Sequence, residues 1–256
     1  MLKALIGSLE PRLVFFPYRG EDANPATLGL PYNTVSLTTT DGERLVAWQI
    51  EPDRPRADIV YFHGNGGNLS VWLPVLATLH RLGYGVLAVD YRGYGLSSGT
   101  PSEQGIYSDA EATVRHAAQT RSSTRPLVFW GRSLGATAAA SAARVIEPDG
   151  LILEGGFPDK AAVIRTHLLF RALNVFSSYR FPTVDLLRGF LKPVLVLHGT
   201  RDSIIPFALG RELFDRLEGP KQFVPIEGAD HNDFFDEGRN DYWEPVARFI
   251  DGLTGR

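Results

Sequence analysis

The sequence predicts an α/β fold, a parallel sheet with helices on both faces, and three observations point there. From about residue 58, short apolar runs alternate with longer segments of helical periodicity. The strand-like runs DIVYF, GVLAVD, PLVFW and VLVLHG are apolar almost throughout, the pattern of strands covered on both faces. Loops rich in glycine follow several of them, at the ends where parallel sheets place their ligands.

The elements follow in order. Val35–Ile50 reads as two strands around an Asp41-Gly42 turn, an antiparallel hairpin. Asp58–Gly64 is a strand running into a glycine-rich loop, and Asn68–Gly83 a helix with glycine at its end. Tyr84–Asp90 is a strand, Tyr91–Gly99 a loop, and Pro101–Arg121 a helix with Ser102 near its first turn. A strand at Pro126–Trp130, a helix at Leu134–Glu147 and a strand at Gly150–Gly155 come next. Lys192–Gly199 is a strand, Pro206–Glu218 a helix, Lys221–Gly228 a strand and Asp241–Leu253 a last helix. Between about 157 and 191 the alternation breaks into helical patches, read as a small cap insertion over the strand ends. Its apolar residues Leu168, Leu169, Phe170, Val175, Phe176 and Phe181 are expected either to line an acyl pocket or to pack the cap onto the body.

The 256 residues suit one domain spanning 1–256, with 44% hydrophobic residues and a core that needs no staples. A formal net charge of -3, without blocks of like charge, argues against a nucleic-acid partner. The absence of cysteine removes disulfides, thiolate metal sites, cysteine catalysis and S-acylation, and fits a reducing, cytoplasmic setting. No run of about 18 apolar residues suggests a membrane span. Leu2, Leu5, Ile6 and Leu9 fall at helical spacing over about 1–10, with Pro11 expected to end the run. This segment is expected to dock on the body, with a peripheral membrane contact as the alternative.

The chemistry concentrates in GRSLG, Gly131 to Gly135, which fits G-x-S-x-G. There a serine sits on a strand-to-helix bend so sharp that side chains two positions away must be absent. Ser133 follows a predicted strand and opens a predicted helix, so it is the candidate nucleophile; its bland reading is a helix cap. A serine hydroxyl needs a base, and the base an orienting acid. Of six histidines, only His231, in GADHND, lies beyond the last sheet strand, where this chain order puts the base. Asp202, in HGTRD, lies on the loop after a strand and is the candidate acid. Asp230 and Asp233 flank His231, but neighbouring positions rarely converge on one ion, so no metal is expected. The oxyanion donors are expected to be the backbone N–H groups of Leu134 and Asn65. Gly64 and Gly66 keep the second loop free of bulk, and His63 is expected to hold that loop.

YFHGNGGN, VDYRGYGLSSG, GRSLG, PVLVLHGTRDSIIPF and GADHND together resemble the α/β-hydrolase superfamily, in its Bem46-like, ABHD13/ABHD17-type branch. The resemblance runs from about Leu13 to Leu253. It implies an eight-stranded, mostly parallel sheet, a Ser133–Asp202–His231 triad and hydrolysis of an ester or thioester without a cofactor. Some relatives resembling this branch depalmitoylate proteins and carry an N-terminal anchor. This sequence shows no cysteine cluster and no span, so a small-molecule ester or acyl substrate of short to medium chain length is expected instead. Long-chain thioesterase or lipase action, amidase or peptidase action, and a non-catalytic binding module are the alternatives. A dinucleotide site is disfavoured, because Leu69 fills the third glycine position of G-x-G-x-x-G.

Overall fold

The structure, a computed structural model, describes residues 10–122, 124–166, 178–235 and 239–253. Eight strands form the main sheet: β1 (Tyr32–Thr38), β2 (Arg44–Ile50), β3 (Asp58–Phe62), β4 (Gly85–Asp90), β5 (Leu127–Arg132), β6 (Gly150–Glu154), β7 (Val194–Gly199) and β8 (Lys221–Ile226). Their spatial order is β1-β2-β4-β3-β5-β6-β7-β8, and β2 alone runs against the others. The expected hairpin closes β1 onto β2, with Gly42 at φ +88° in the turn. The helices among the described residues include α1 (Leu69–Arg81), α2 (Glu103–Thr120), α3 (Leu134–Ala143), α4 (Lys160–Thr166), α5 (Thr183–Leu186), α6 (Phe207–Arg216) and α7 (Asn240–Asp251).

Alternation along the strands divides the core in two. Val60 and Phe62 of β3, Phe129 of β5 and Leu151 and Leu153 of β6 face one side, with Ile106 and Val114 of α2, the alanines of α3 and Leu209 and Leu213 of α6. Ile59 and Tyr61, Val128 and Trp130, and Ile152 face the other, with Leu69, Trp72 and Leu76 of α1 and Tyr242, Val246 and Ile250 of α7. Apolar residues at every strand position are therefore the trace of a covered sheet. The alanine run of α3 lets that helix lie close to the strands; a Cβ on Gly156 would sit 3.0 Å from the Ala136 Cβ.

Asn68 caps α1 by accepting from Ser70 N at 3.0 Å, and Ser102 caps α2 by accepting from Gly105 N at 3.0 Å. The chain leaves β3 for β4 on one side, then crosses to β5 on the other. The direction of the connections reverses there, and in open α/β sheets such a switch point is where ligands bind, at the carboxyl ends of β3 and β5.

Two features depart from the sequence expectation. Residues 10–14 are helical, so helix continues beyond Pro11, and Phe15 N donates to Pro11 O at 2.9 Å. Proline restricts mainly the residue before it and keeps its carbonyl acceptor, so helix on its C-terminal side is not excluded. The rest of the 1–10 segment lies outside the described residues. Phe16–Pro17 then pairs in parallel with Gly66–Gly67, a strap that local patterning did not announce. Within the proposed cap, α4 and α5 are described, and residues 178–181 lie over two buried carboxylates. Glu103 accepts from Arg180 N (2.6 Å) and Phe181 N (2.8 Å), and Glu10 accepts from Ser178 Oγ (2.9 Å). Leu168, Leu169, Phe170, Val175 and Phe176 lie outside the described residues. Phe181 is buried, its ring 6.1 Å from Phe15 and 5.7 Å from Tyr179. No helix among the described residues is long and apolar enough to cross a membrane.

Candidate active site

Ser133 sits between β5 and α3 with φ 53° and ψ -115°, a conformation that non-glycine residues seldom adopt. Its N–H donates to the carbonyl of Glu154 at 2.7 Å, and its side chain makes no cap hydrogen bond to α3. The flanking glycines are required sterically. A Cβ on Gly131 would lie 2.1 Å from the Gly135 carbonyl, and one on Gly135 would lie 2.0 Å from the Phe62 carbonyl and 2.7 Å from that of His63. The same contacts press the elbow against the loop that follows β3.

His231 is 6% exposed on the loop between β8 and α7, and its Nδ1 donates to Oδ2 of Asp202 at 2.7 Å. That bond places the ring proton on Nδ1 and leaves the Nε2 lone pair to receive another. Asp202 is fixed by its own loop, where Oδ1 accepts from Ile204 N (3.0 Å) and Ile205 N (2.7 Å). His198 Nε2 lies 3.3 Å from Oδ2 and donates to Ile205 O at 2.8 Å. Burial works against the charge on Asp202, but hydrogen bonds from His198, His231 and Ile205 N outweigh it and hold the carboxyl well below the usual carboxylate range. His231 lies against Gly155, where a Cβ would come 3.2 Å from His231 Cε1, and the carbonyl of the preceding residue, Glu154, accepts from Ser133 N. Asp230 and Asp233 are used in shaping this loop. Asp230 accepts from Ser203 N (2.8 Å) and His231 N (2.6 Å), and Asp233 accepts from Asp230 N (2.7 Å). Among the described residues no group of three or more metal-ligating side chains converges.

The loop after β3 is held from several sides. His63 is fully buried, donates from Nδ1 to Gly64 O at 2.7 Å, and lies against Tyr91 and Tyr94 with ring centroids 4.5 and 5.3 Å away. The Tyr91 hydroxyl donates to His63 O (3.0 Å), and the Tyr94 hydroxyl lies 2.9 Å from both oxygens of Asn65. Burial pushes both phenols up, so they remain donors. From the helical stretch at 10–14, Val14 O accepts from Asn65 Nδ2 at 2.7 Å. The backbone N–H groups of Asn65 and Leu134 meet no acceptor among the described residues. Asp90, at the end of β4, caps α1 by accepting from Leu69 N at 2.9 Å. The tyrosines and the strap escaped sequence reasoning. The signal for the tyrosines was the repeated aromatic in YRGYG; the two-residue strap has none.

Residues 53–190, more than half of the chain, match the protein-family model described as serine aminopeptidase, S33. The chain is 32% identical over 231 residues to the uncharacterized protein Rv2307c of Mycobacterium tuberculosis, covering 89% of this chain and 82% of that protein. It is 30% identical over 276 residues to the α/β hydrolase domain-containing protein WAV2 of Arabidopsis thaliana, covering 97% and 89% respectively. Among solved structures, the esterase Pf2001 of Pyrococcus furiosus superposes with a TM-score of 0.78 at 20% identity, covering 94% of this chain and 99% of that one.

Proposed function

Since the chain belongs to the α/β-hydrolase superfamily, in the serine-hydrolase family described as serine aminopeptidase, S33, we propose that it cleaves carboxylic esters of short to medium chain length through an acyl-enzyme on Ser133. One observation carries this reading. Ser133 is held at positive φ on the strand-to-helix bend, its N–H bonded to Glu154 O, and the next residue, Gly155, lies against an imidazole already oriented by a carboxylate. The esterase named among the structural neighbours supports the ester class. The low exposure of Ser133 (9%) and His231 (6%) supports small substrates.

In this mechanism His231 Nε2 takes the hydroxyl proton as Ser133 Oγ bonds to the carbonyl carbon. The negative charge that moves onto the carbonyl oxygen is met by the N–H groups of Leu134 and Asn65. Asp202 stabilises the imidazolium. The carbon–oxygen bond to the alcohol breaks, and the alcohol leaves with the proton from His231. Water then gives a proton to His231 and its oxygen to the acyl carbon, releasing the acid and restoring Ser133. The reaction needs no cofactor.

A second reading, amide cleavage, draws on the description of the matched family. The test is hydrolysis of p-nitrophenyl esters from acetyl to palmitoyl, with aminoacyl p-nitroanilides alongside and Ser133→Ala as the control. The proposal expects turnover that peaks at short or medium chains and vanishes in Ser133→Ala. A maximum at palmitoyl moves long acyl chains to the front, and turnover of anilides alone replaces the ester reading.

A further inference from the structure

Arg132 and Glu154 end β5 and β6, are direct partners in the parallel register, and are each 1% exposed. Strand alternation turns them to the side occupied by Trp130 and Ile152, under α1 and the His231 loop. The Arg132 guanidinium pairs through Nη1 with Glu154 Oε1 and donates through Nη2 to the main-chain carbonyl of His231. Its central carbon lies 4.8 Å from the ring centroid of Trp72, 5.1 Å from Phe234 and 5.0 Å from Phe235. Glu154 is itself held, since Oε2 accepts from Trp130 Nε1 and from the Tyr242 hydroxyl, each at 2.9 Å. Its main-chain carbonyl receives Ser133 N. Trp72 in turn walls Gly64, where a Cβ would come within 3.4 Å of the indole. One buried cation thus touches the strand that carries the nucleophile, the loop that carries the base, and the helix behind the loop after β3.

A buried ion pair is a poor source of stability, because desolvation offsets its attraction, and well-packed apolar residues of similar volume often do as well. An apolar pair has no means of holding the His231 carbonyl. We infer that Arg132 is the positioning residue of the base: anchored on Glu154, its guanidinium grips the main chain of His231 and fixes the imidazole against Ser133. The role rests on the reading of Ser133 and His231 as nucleophile and base. Glu154 sets the angle of the fork, and the aromatic cage keeps it in plane.

The test compares Arg132→Lys, the double variant Arg132→Met/Glu154→Met and the native protein. Ester kinetics are read alongside the NMR signal of the His231 Nδ1 proton in its bond to Asp202, assigned by its loss in His231→Asn. The double variant leaves no orphaned charge, but it removes the partners of Trp130 Nε1, the Tyr242 hydroxyl and the His231 carbonyl, so a lower melting temperature is expected and circular dichroism checks that it is folded. Its kcat is expected to fall roughly tenfold to hundredfold at unchanged KM, the scale of an ångström-sized misplacement. Its Nδ1 signal is expected to broaden or vanish. Arg132→Lys keeps the charge but loses the two-pronged fork, so it is expected to show the same losses, and it decides the matter if the double variant fails to fold. Native kcat together with a native Nδ1 signal in either variant overturns the inference. If the native protein cleaves no ester, the functional reading fails on its own, and the Nδ1 signal still decides whether Arg132 holds His231.

Discussion

His231 meets Asp202 at 2.7 Å through Nδ1, and the acid is already fixed by two backbone donors of its own loop. An amide in place of the carboxylate would hold the ring in the other tautomer, with the proton on Nε2. Asp202→Asn is therefore expected to lower kcat on the order of 10⁴-fold, as for the buried acid of other triads. Steady-state kinetics check this, with circular dichroism confirming that the variant is folded.

The direction of the Asp202 shift sets a pH window. A carboxyl lowered on folding contributes stability that is fully present above its unfolded value, about 3.9, and lost as pH falls towards its folded value. Urea unfolding between pH 6 and pH 3 should show a loss of about 1 kcal/mol in the native protein that is missing in Asp202→Asn. Between pH 5 and pH 8 the carboxylate does not titrate. The acid limb of log kcat/KM against pH is therefore expected to have a slope of one; a slope of two would mean that Asp202 protonates as well.

Ser133 is held at φ 53° by its surroundings. Glycine adopts such a conformation without the penalty of a Cβ, and alanine does not. Ser133→Gly is expected to be more stable than Ser133→Ala by about 1 kcal/mol, with both inactive. Thermal melts of the pair check it, and equal stabilities would show that the bend is unstrained.

Two glycines predict opposite outcomes. Gly135→Ala drives a Cβ to 2.0 Å from the Phe62 carbonyl, and backbone must shift. Gly66 has open space within 4 Å of its Cβ position. Denaturant titration should show a loss of roughly 1–3 kcal/mol or more for Gly135→Ala, and a change within about 0.5 kcal/mol for Gly66→Ala.

The periodicity of the apolar runs made the main sheet and its helices legible, because strands covered on both faces and amphipathic helices leave local signatures. The positions of Ser133, Asp202 and His231 at strand ends were legible for the same reason. Pro11 misled, since its ring forbids less of a helix than a simple stop rule assumes. The strap at Phe16–Pro17 pairs two residues with a loop about fifty positions away, and two residues carry no period. Arg132 reads as the variable position of G-x-S-x-G and Glu154 as an ordinary strand end. Only their register across β5 and β6 reveals the pair. Two charges ending adjacent, otherwise apolar runs were the available signal.

The most direct test of the central claim is covalent labelling with a fluorophosphonate, with the modified residue located by peptide mass spectrometry. The expected result is one label per chain, on Ser133, absent in Ser133→Ala and strongly slowed in His231→Asn. Label on another residue, or none on a folded native protein, would contradict Ser133 as the nucleophile.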